Sequence, residues 1–317
     1  MSVSASSHFP ASPWARTDAT TTVRVYVSRS TIQVPEVAAM MRIACHGITW
    51  GRDGFSTAVK EIAALGFRGF EAFAFVVDDF GFDRIAEFQS ILAERGLMLV
   101  ALYGGGEMHD PSRFETLVAH NTRIARFLAL NGADRIVLGP GRRPPGGPTH
   151  DHLLNMVHCA NEIGRRSQDL GVQTCIHPHV NTVLETIPEI DFVLDRVDPR
   201  YVALAADTAH FRKGNPANER AEVDVLTRYA DRIAYVHLKD WDPSLPPEAT
   251  GEGGMAVIRD FVELGRGQVD LKACVEVLRK RGYDGWLTIE LDYTRRTPYE
   301  SVSMSKDYLE RDLGLTT

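Results

Sequence analysis

The chain is poor in the features that mark several large protein classes. Its 317 residues include only four cysteines, Cys45, Cys159, Cys175 and Cys274, and no two form a CxxC pair. All four sit in apolar periodic segments, which argues against a disulfide framework or a zinc knuckle and for reduced core thiols. No run approaches the ~18–20 apolar residues of a membrane span. The N-terminus has no apolar h-region, so a classical secretory signal is absent. Its Ser/Thr/Ala-rich, Arg-containing start has some transit-peptide character, but Asp18 and Glu36 run against that composition. Basic charge is in deficit: Lys+Arg is 35 and Asp+Glu is 42, a net charge of −7. That balance argues against a general nucleic-acid or anionic-membrane binder. No GxGxxG follows an early strand, so a dinucleotide-binding, doubly wound sheet is only the second architecture to consider. The expectation is a cytoplasmic enzyme without membrane or nucleic-acid partners.

What is present is ordinary globular material, 44% hydrophobic and 24% charged, enough to bury a sizeable core. Residues 1–40 carry no core pattern beyond a lone strand at Val23–Val27. Met40 and Met41 stand where regular organisation begins, which marks a second possible start and makes the lead-in an extension. From residue 41 to 317, continuous apolar runs alternate with longer amphipathic segments. The runs are Arg42–His46, Gly69–Phe73, Leu97–Tyr103, Arg135–Leu138, Val172–His177, Val202–Asp207, Ile233–Leu238 and Trp286–Leu291. Runs apolar throughout, rather than alternating, are those of parallel strands buried on both faces. The segments between them carry helix signals. Ser112 with Glu115 and Thr186 with Glu189 read as capping boxes, and Asp270 as an N-cap. Gly66, Gly96, Gly132, Gly171 and Gly282 each stop a helix a few residues before the next strand. Eight such modules predict a single (β/α)8 TIM barrel over 41–317. Gly104-Gly105-Gly106 is expected to be a flexible active-site loop.

In such a barrel the active site forms at the C-terminal ends of the strands. Those ends read His46, Glu71, Tyr103, Leu138-Gly139, His177, Asp207, His237 and Glu290. An apolar run has no structural need to end in His, Asp or Glu. Any one of them has a bland role as a satisfied buried polar group, but the set converging on one mouth points to a site. Carboxylates and imidazoles from separate strands suit a divalent cation of borderline hardness, Mn²⁺ first, then Mg²⁺, Co²⁺ or Zn²⁺. Such an ion polarises a carbonyl and stabilises the charge left when a neighbouring proton is removed.

The stretches HPHVNTVLET, DTAH, VHLKD, FVELGRGQVD and GYDGWLTIELD, in that order and spacing, carry a family pattern. From about Met41 to the C-terminus the chain resembles the xylose isomerase-like TIM-barrel superfamily of sugar isomerases, epimerases and dehydratases. Within it the pattern is closest to inosose dehydratase-like members and shared with C-glycoside-cleaving eliminases. The resemblance implies a metal held by Asp207, His237 and Glu290. Many relatives have Glu where the fifth strand here ends in His177, so the fourth ligand is either His177 or Glu185. Glu185 is preferred because it keeps three carboxylates and frees the histidines. It also implies that His210 contacts a substrate hydroxyl and that the glycines of FVELGRGQVD form a tight loop near the metal.

Beside those ligands, His177 and His179 are candidate general bases, their near-neutral pKa suiting removal of a proton alpha to a ketone. Lys239, two residues after His237, is a candidate to neutralise an enolate or protonate a leaving hydroxyl, or to pair with Asp240 or Glu290. Glu71 is a candidate second proton carrier. His46, Tyr103 and Trp241 are candidate walls of the substrate site, and Arg142 a candidate anion contact in a basic loop. The expected reaction is dehydration or elimination on a keto-sugar or keto-cyclitol through an enolate. Isomerisation or epimerisation is the alternative, and endonuclease IV-like phosphodiester cleavage the remote one. A homodimer or a partner subunit is an open expectation, with 297–317 either packing on a neighbour or closing the barrel.

Overall fold

The structure, a computed structural model, describes residues 41–250 and 257–317. The lead-in 1–40, with the strand expected at Val23–Val27, lies outside the described residues. Eight parallel strands close into a barrel in the order 1-8-7-6-5-4-3-2. They run Arg42–His46, Gly69–Phe73, Met98–Gly105, Arg135–Gly139, Gln173–Ile176, Val202–Asp207, Ile233–Leu238 and Trp286–Ile289. The strands expected from the apolar runs agree with these within two residues at every end. Two further pairs of two-residue strands lie between the seventh and eighth barrel strands: Asp240–Trp241 with Phe261–Val262, and Ala249–Thr250 with Val257–Ile258.

The helical segments end as their glycines require. Gly66, Gly96, Gly132, Gly171 and Gly282 all take positive φ, a region that costs a side-chain-bearing residue free energy. Thr186 and Glu189 form a reciprocal capping box, and Asp270 caps Leu271–Lys280 through Ala273 N. Ser112 does not head a capping box. Asp110 lies two residues earlier and accepts from Ser112 N, so the chain enters Phe114–Leu130 through a 3-10 turn. The Gly104–Gly106 segment is not a loose loop. Asn121 clamps Gly105, accepting from its N–H at 2.8 Å and donating to its carbonyl at 3.2 Å, and Gly106 N donates to Gly139 O.

Two apolar layers result. The larger one packs the outward faces of the strands against the helices. A smaller one consists only of strand residues, among them Ala44, Ala101, Val137, Cys175, Ala205, Tyr235 and Trp286, and fills the barrel interior. Strand side chains alternate with period two. Ala44 therefore puts His46 inside, Cys175 puts His177 inside, Ala205 puts Asp207 inside, and Tyr235 puts His237 and then Lys239 inside. Trp286 likewise leads through Thr288 to Glu290 and Asp292. Gly139 makes room for this layer, since a Cβ there would lie 2.5 Å from the Tyr103 hydroxyl. The C-terminal helix Pro298–Asp312 packs on the segment before the last helix–strand unit: Ser301 Oγ donates to Glu263 and Ser305 Oγ accepts from Leu264 N. Among the described residues no helix is long and apolar enough to cross a membrane, and the four thiols are buried and unpaired.

Candidate active site

The barrel mouth concentrates buried ionisable groups. His46, Glu71, His177, His179, Asp207, His210, His237, Lys239, Glu290 and Asp292 are all buried. At its centre, ligand-capable atoms of His177, Asp207 and His237 lie within 4.8 Å of one another. Asp207 ends the sixth strand and begins Thr208–Gly214. Its Oδ1 caps that helix by accepting from His210 N at 2.8 Å. Its Oδ2 has no hydrogen-bond partner among the described residues, and neither do the two ring nitrogens of His177. His237 Nδ1 lies 3.9 Å from Asp207 Oδ2 and 2.7 Å from Glu290 Oε2, the latter without the alignment of an N–H···O bond. Buried polar atoms are normally paired, so several unpaired ones facing one space mark a place for a ligand. Two imidazoles with carboxylates fit a divalent cation of borderline hardness.

The charges around this cluster are strongly coupled. Lys239 Nζ donates to Glu290 Oε1 at 2.9 Å and to Asp292 Oδ1 at 2.8 Å, and lies 3.7 Å from Asp207 Oδ2. Burial works against its charge, but Asp292, Glu290 and Asp207 outweigh it and hold the ammonium protonated. Burial lifts Asp207 to about 6, against the pull of Lys239. Glu290 is held well below the usual carboxylate range: burial opposes this, and His237 and Lys239 overcome it. At His237 burial is likewise overcome, by Glu290 and Glu71, so the ring's basicity is raised. Proton and divalent cation are alternatives at Nδ1, since the same negative field attracts both.

A cavity of about 160 Å³ opens beside the cluster, lined by His179, Tyr103, Glu290 and Asp292 on its polar side and by Ile48, Phe73, Phe75 and Val257 on its apolar side. His179 Nδ1 lies 2.6 Å from Val180 O, an acceptor, so the ring donates there and its lone pair sits on Nε2. Burial, then the Lys239 charge, lowers His179 to about 4, so it is a neutral base near pH 7. The Tyr103 hydroxyl has no protein partner among the described residues, and burial, then Glu290, raises its pKa, which keeps it protonated.

Several sequence candidates stand elsewhere. Glu185 is not in the ligand cluster. The turn Val180–Thr186 carries its Oε2 to Asn181 N (3.2 Å) and Arg143 (3.5 Å), whereas His177 stands in the cluster. Of the two candidates for fourth ligand, His177, which strand alternation points inward, stands in the cluster and Glu185 does not. Glu71 is turned away from the cavity: its Oε2 accepts from Tyr235 Oη and His237 Nε2, both at 2.8 Å. His46 is not a cavity wall, because its Nδ1 accepts from Ile48 N and its ring packs edge-on to Phe73. Trp241 is buried in a two-residue ladder with Phe261, its Nε1 on Asp260. Arg142 bridges to Thr182 and lines a separate cavity with Glu107 and His109. His210 lies behind His179, ring centroids 3.7 Å apart, with Nε2 3.3 Å from Lys239 Nζ.

Asp292, Phe73 and Tyr235 are residues of the site to which the motifs assigned no role. Each stands two positions from one to which they did, so strand alternation was the available signal. Asp240, the acidic residue of VHLKD, does not pair with Lys239. It accepts from Trp241, Gly265, Gly267 and Val269 N and so builds the loop of FVELGRGQVD. Gly267 is obligatory there, since a Cβ would lie 2.3 Å from Asp240 Oδ1.

Comparison with known proteins gives three kinds of likeness. The family described as "Xylose isomerase-like TIM barrel" matches residues 59–311. An inosose dehydratase of Geobacillus kaustophilus is 34% identical over 167 residues, 51% of this chain and 52% of that protein. An inosose dehydratase of Clostridium botulinum is 26% identical over 284 residues, 82% of this chain and 90% of that protein. The chain spans little more than half the length of the first curated relatives it matches. The crystal structure of an IOLI protein with a binding zinc atom superposes with a TM-score of 0.68 at 16% identity, covering 85% of this chain and 97% of that one, which is a likeness of fold.

Proposed function

The chain belongs to the xylose isomerase-like TIM-barrel family, and from that premise we propose that it is a divalent-metal-dependent lyase acting on a keto-sugar or keto-cyclitol. The reaction is loss of a proton alpha to the ketone followed by departure of a beta substituent, as in inosose dehydration or 3-keto-glycoside elimination. The observation that carries this reading is the convergence of unpaired, buried His177, Asp207, His237 and Glu290 atoms beside a cavity that holds a neutral histidine. The naming of relatives as inosose dehydratases supports it.

His177, Asp207 and His237 would hold the cation, with Glu290 at its edge. When bound, a divalent ion supplies Lewis-acid polarisation of the substrate ketone. Manganese is the first candidate, and zinc, which an IOLI protein of the same fold binds, is the comparison to run. The remaining steps belong to side chains. His179 Nε2 takes the alpha proton, and the C–H electron pair becomes that of the enolate. Lys239, held cationic among Asp207, Glu290 and Asp292, offsets the added negative charge. The Tyr103 hydroxyl hydrogen-bonds a substrate hydroxyl in the cavity. When the enolate collapses, the beta C–O bond breaks and hydroxide leaves with the proton from His179, so that the net change is loss of one water.

The test is incubation with Mn²⁺ or Zn²⁺ and a panel of keto-inositols and 3-keto-glycosides in deuterated water. An enone product absorbing in the ultraviolet is the expected outcome. Deuterium exchange without that product would replace elimination by isomerisation or epimerisation, which share the first step. Neither signal with any substrate, in protein shown to carry metal, would overturn the reading.

A further inference from the structure

We propose that Glu71 is a positioning residue: with Tyr235 it fixes the tautomer and ring orientation of His237, so that Nδ1 alone is presented to the cation site. The inference rests on the metal-site reading above and adds a role that this reading leaves open. Glu71 ends the second strand and is completely buried. A buried carboxylate can only accept, and it needs donors. Its Oε2 has two, His237 Nε2 and Tyr235 Oη, each at 2.8 Å. Tyr235 Oη in turn lies 2.6 Å from Thr288 Oγ1, which holds the phenol from the neighbouring strand. Oε1 faces His46 Nε2 at 3.8 Å, and Glu71 is not among the residues lining the cavity. It therefore has no line to a substrate proton.

A proton must stand on His237 Nε2 for that 2.8 Å contact to be a hydrogen bond to a carboxylate. In the neutral ring the lone pair is then on Nδ1, the nitrogen that faces Asp207 Oδ2 and Glu290 Oε2. With the opposite tautomer, a ring N–H would point into the cluster and a lone pair would meet Glu71. Carboxylate partners of this kind fix ligand tautomer and orientation, and their loss typically weakens metal affinity 10–100-fold. The geometry needs barrel closure, because Glu71 and His237 lie on strands separated by the first and eighth.

The experiment uses the full chain, with Glu71→Gln and Tyr235→Phe as variants. Two readouts are taken: the Mn²⁺ and Zn²⁺ dissociation constants by chelator competition, and the His237 tautomer by ¹⁵N NMR of histidine-labelled protein without metal, followed through the titration to the pH at which the ring is neutral. Glu71→Gln is expected to weaken metal binding roughly 10–100-fold and to abolish the dominance of the Nε2–H tautomer. Tyr235→Phe is expected to shift both in the same direction by a smaller factor. Unchanged affinity and tautomer in both folded variants would overturn the proposal. Loss of turnover with both readouts unchanged would also overturn it, by making Glu71 a group that acts on substrate. Failure of the wild-type protein to bind either ion would sink the metal-site reading instead, while the tautomer of His237 would still report whether Glu71 sets it.

Discussion

Two buried aspartates sit at the same end of the barrel and are treated in opposite ways. Asp240 accepts from four backbone N–H groups and thereby shapes the loop from Gly265 to Val269. Asp207 accepts from one, His210 N, and its second oxygen has no hydrogen-bond partner among the described residues. Burying a carboxylate is costly unless donors replace water. At Asp240 the backbone replaces it. At the second oxygen of Asp207 there are only side-chain nitrogens at a distance, Lys239 at 3.7 Å and His237 and His210 each at 3.9 Å. The difference teaches how to separate structural acid groups from functional ones at a barrel mouth: the first are saturated by the fold, the second are left for a ligand.

The comparison can be broken most severely at Asp207. Asp207→Asn is expected to lower kcat/KM about 10³-fold or more, since it removes a cation-facing charge worth several kcal/mol at the transition state. Its thermal midpoint should stay near that of the wild type or rise, because an incompletely paired buried charge is removed while Lys239 keeps Glu290 and Asp292 as partners. A large loss of stability with full activity per folded molecule would reverse the two roles. Asp240→Ala is the mirror case. It leaves four backbone N–H groups without their acceptor, those of Trp241 and Val269 buried and those of Gly265 and Gly267 partly so, and is expected to cost about 3–4 kcal/mol by urea unfolding, at about 1–3 kcal/mol per buried unsatisfied group with partial relaxation.

A third measurement sharpens the same contrast through the ligand. Adding Mn²⁺ at about 100 times its dissociation constant should stabilise the wild type by about 2.7 kcal/mol, reversed by chelator. Asp207→Asn should lose most of this gain, whereas a mild variant of the loop, Asp240→Asn, should keep it.

The smallest effect is expected where a carboxylate is solvated. Glu162 is paired with Arg165 and Arg166 on a helix surface, and the Arg165 hydrogen bond, then Arg166, brings it down to about 2, with a little burial opposing. A lowered carboxylate contributes stability above its unfolded pKa, and that contribution fades as pH falls from about 4.5 through about 2. Glu162→Gln should cost less than about 1 kcal/mol at neutral pH, because exposed pairs are screened, and the cost should shrink as pH falls toward about 2 and vanish below it.

Much of the fold was legible in local patterns. Continuous apolar runs marked all eight strands, and stop glycines and caps marked helix ends, because both signals act over a few residues. Alternation then carried inward-facing Ala44, Cys175, Ala205 and Tyr235 to the polar residues at the strand ends. The Ser112 box was misread because Asp110, two residues earlier, offers the better-placed oxygen for Ser112 N. The preference for Glu185 rested on counting carboxylates in a motif. The turn after His177 instead spends that carboxylate on Arg143 and a backbone N–H, which no spacing rule foretells.

By itself, then, the sequence determined the strand and helix modules, the direction of their polar ends, and the family to which the chain belongs. Tertiary structure alone decided which of those ends meet. Glu71 and His237 stand 166 residues apart and touch only because the sheet closes on itself. Asp207 and Asp240 look equivalent in sequence, each an aspartate at or near a strand end. They diverge because the loop before Leu271–Lys280 folds its N–H groups onto one and away from the other. Propensity and periodicity act between neighbours along the chain. Desolvation, charge and hydrogen-bond supply are set by whatever else the closed barrel places within a few ångströms.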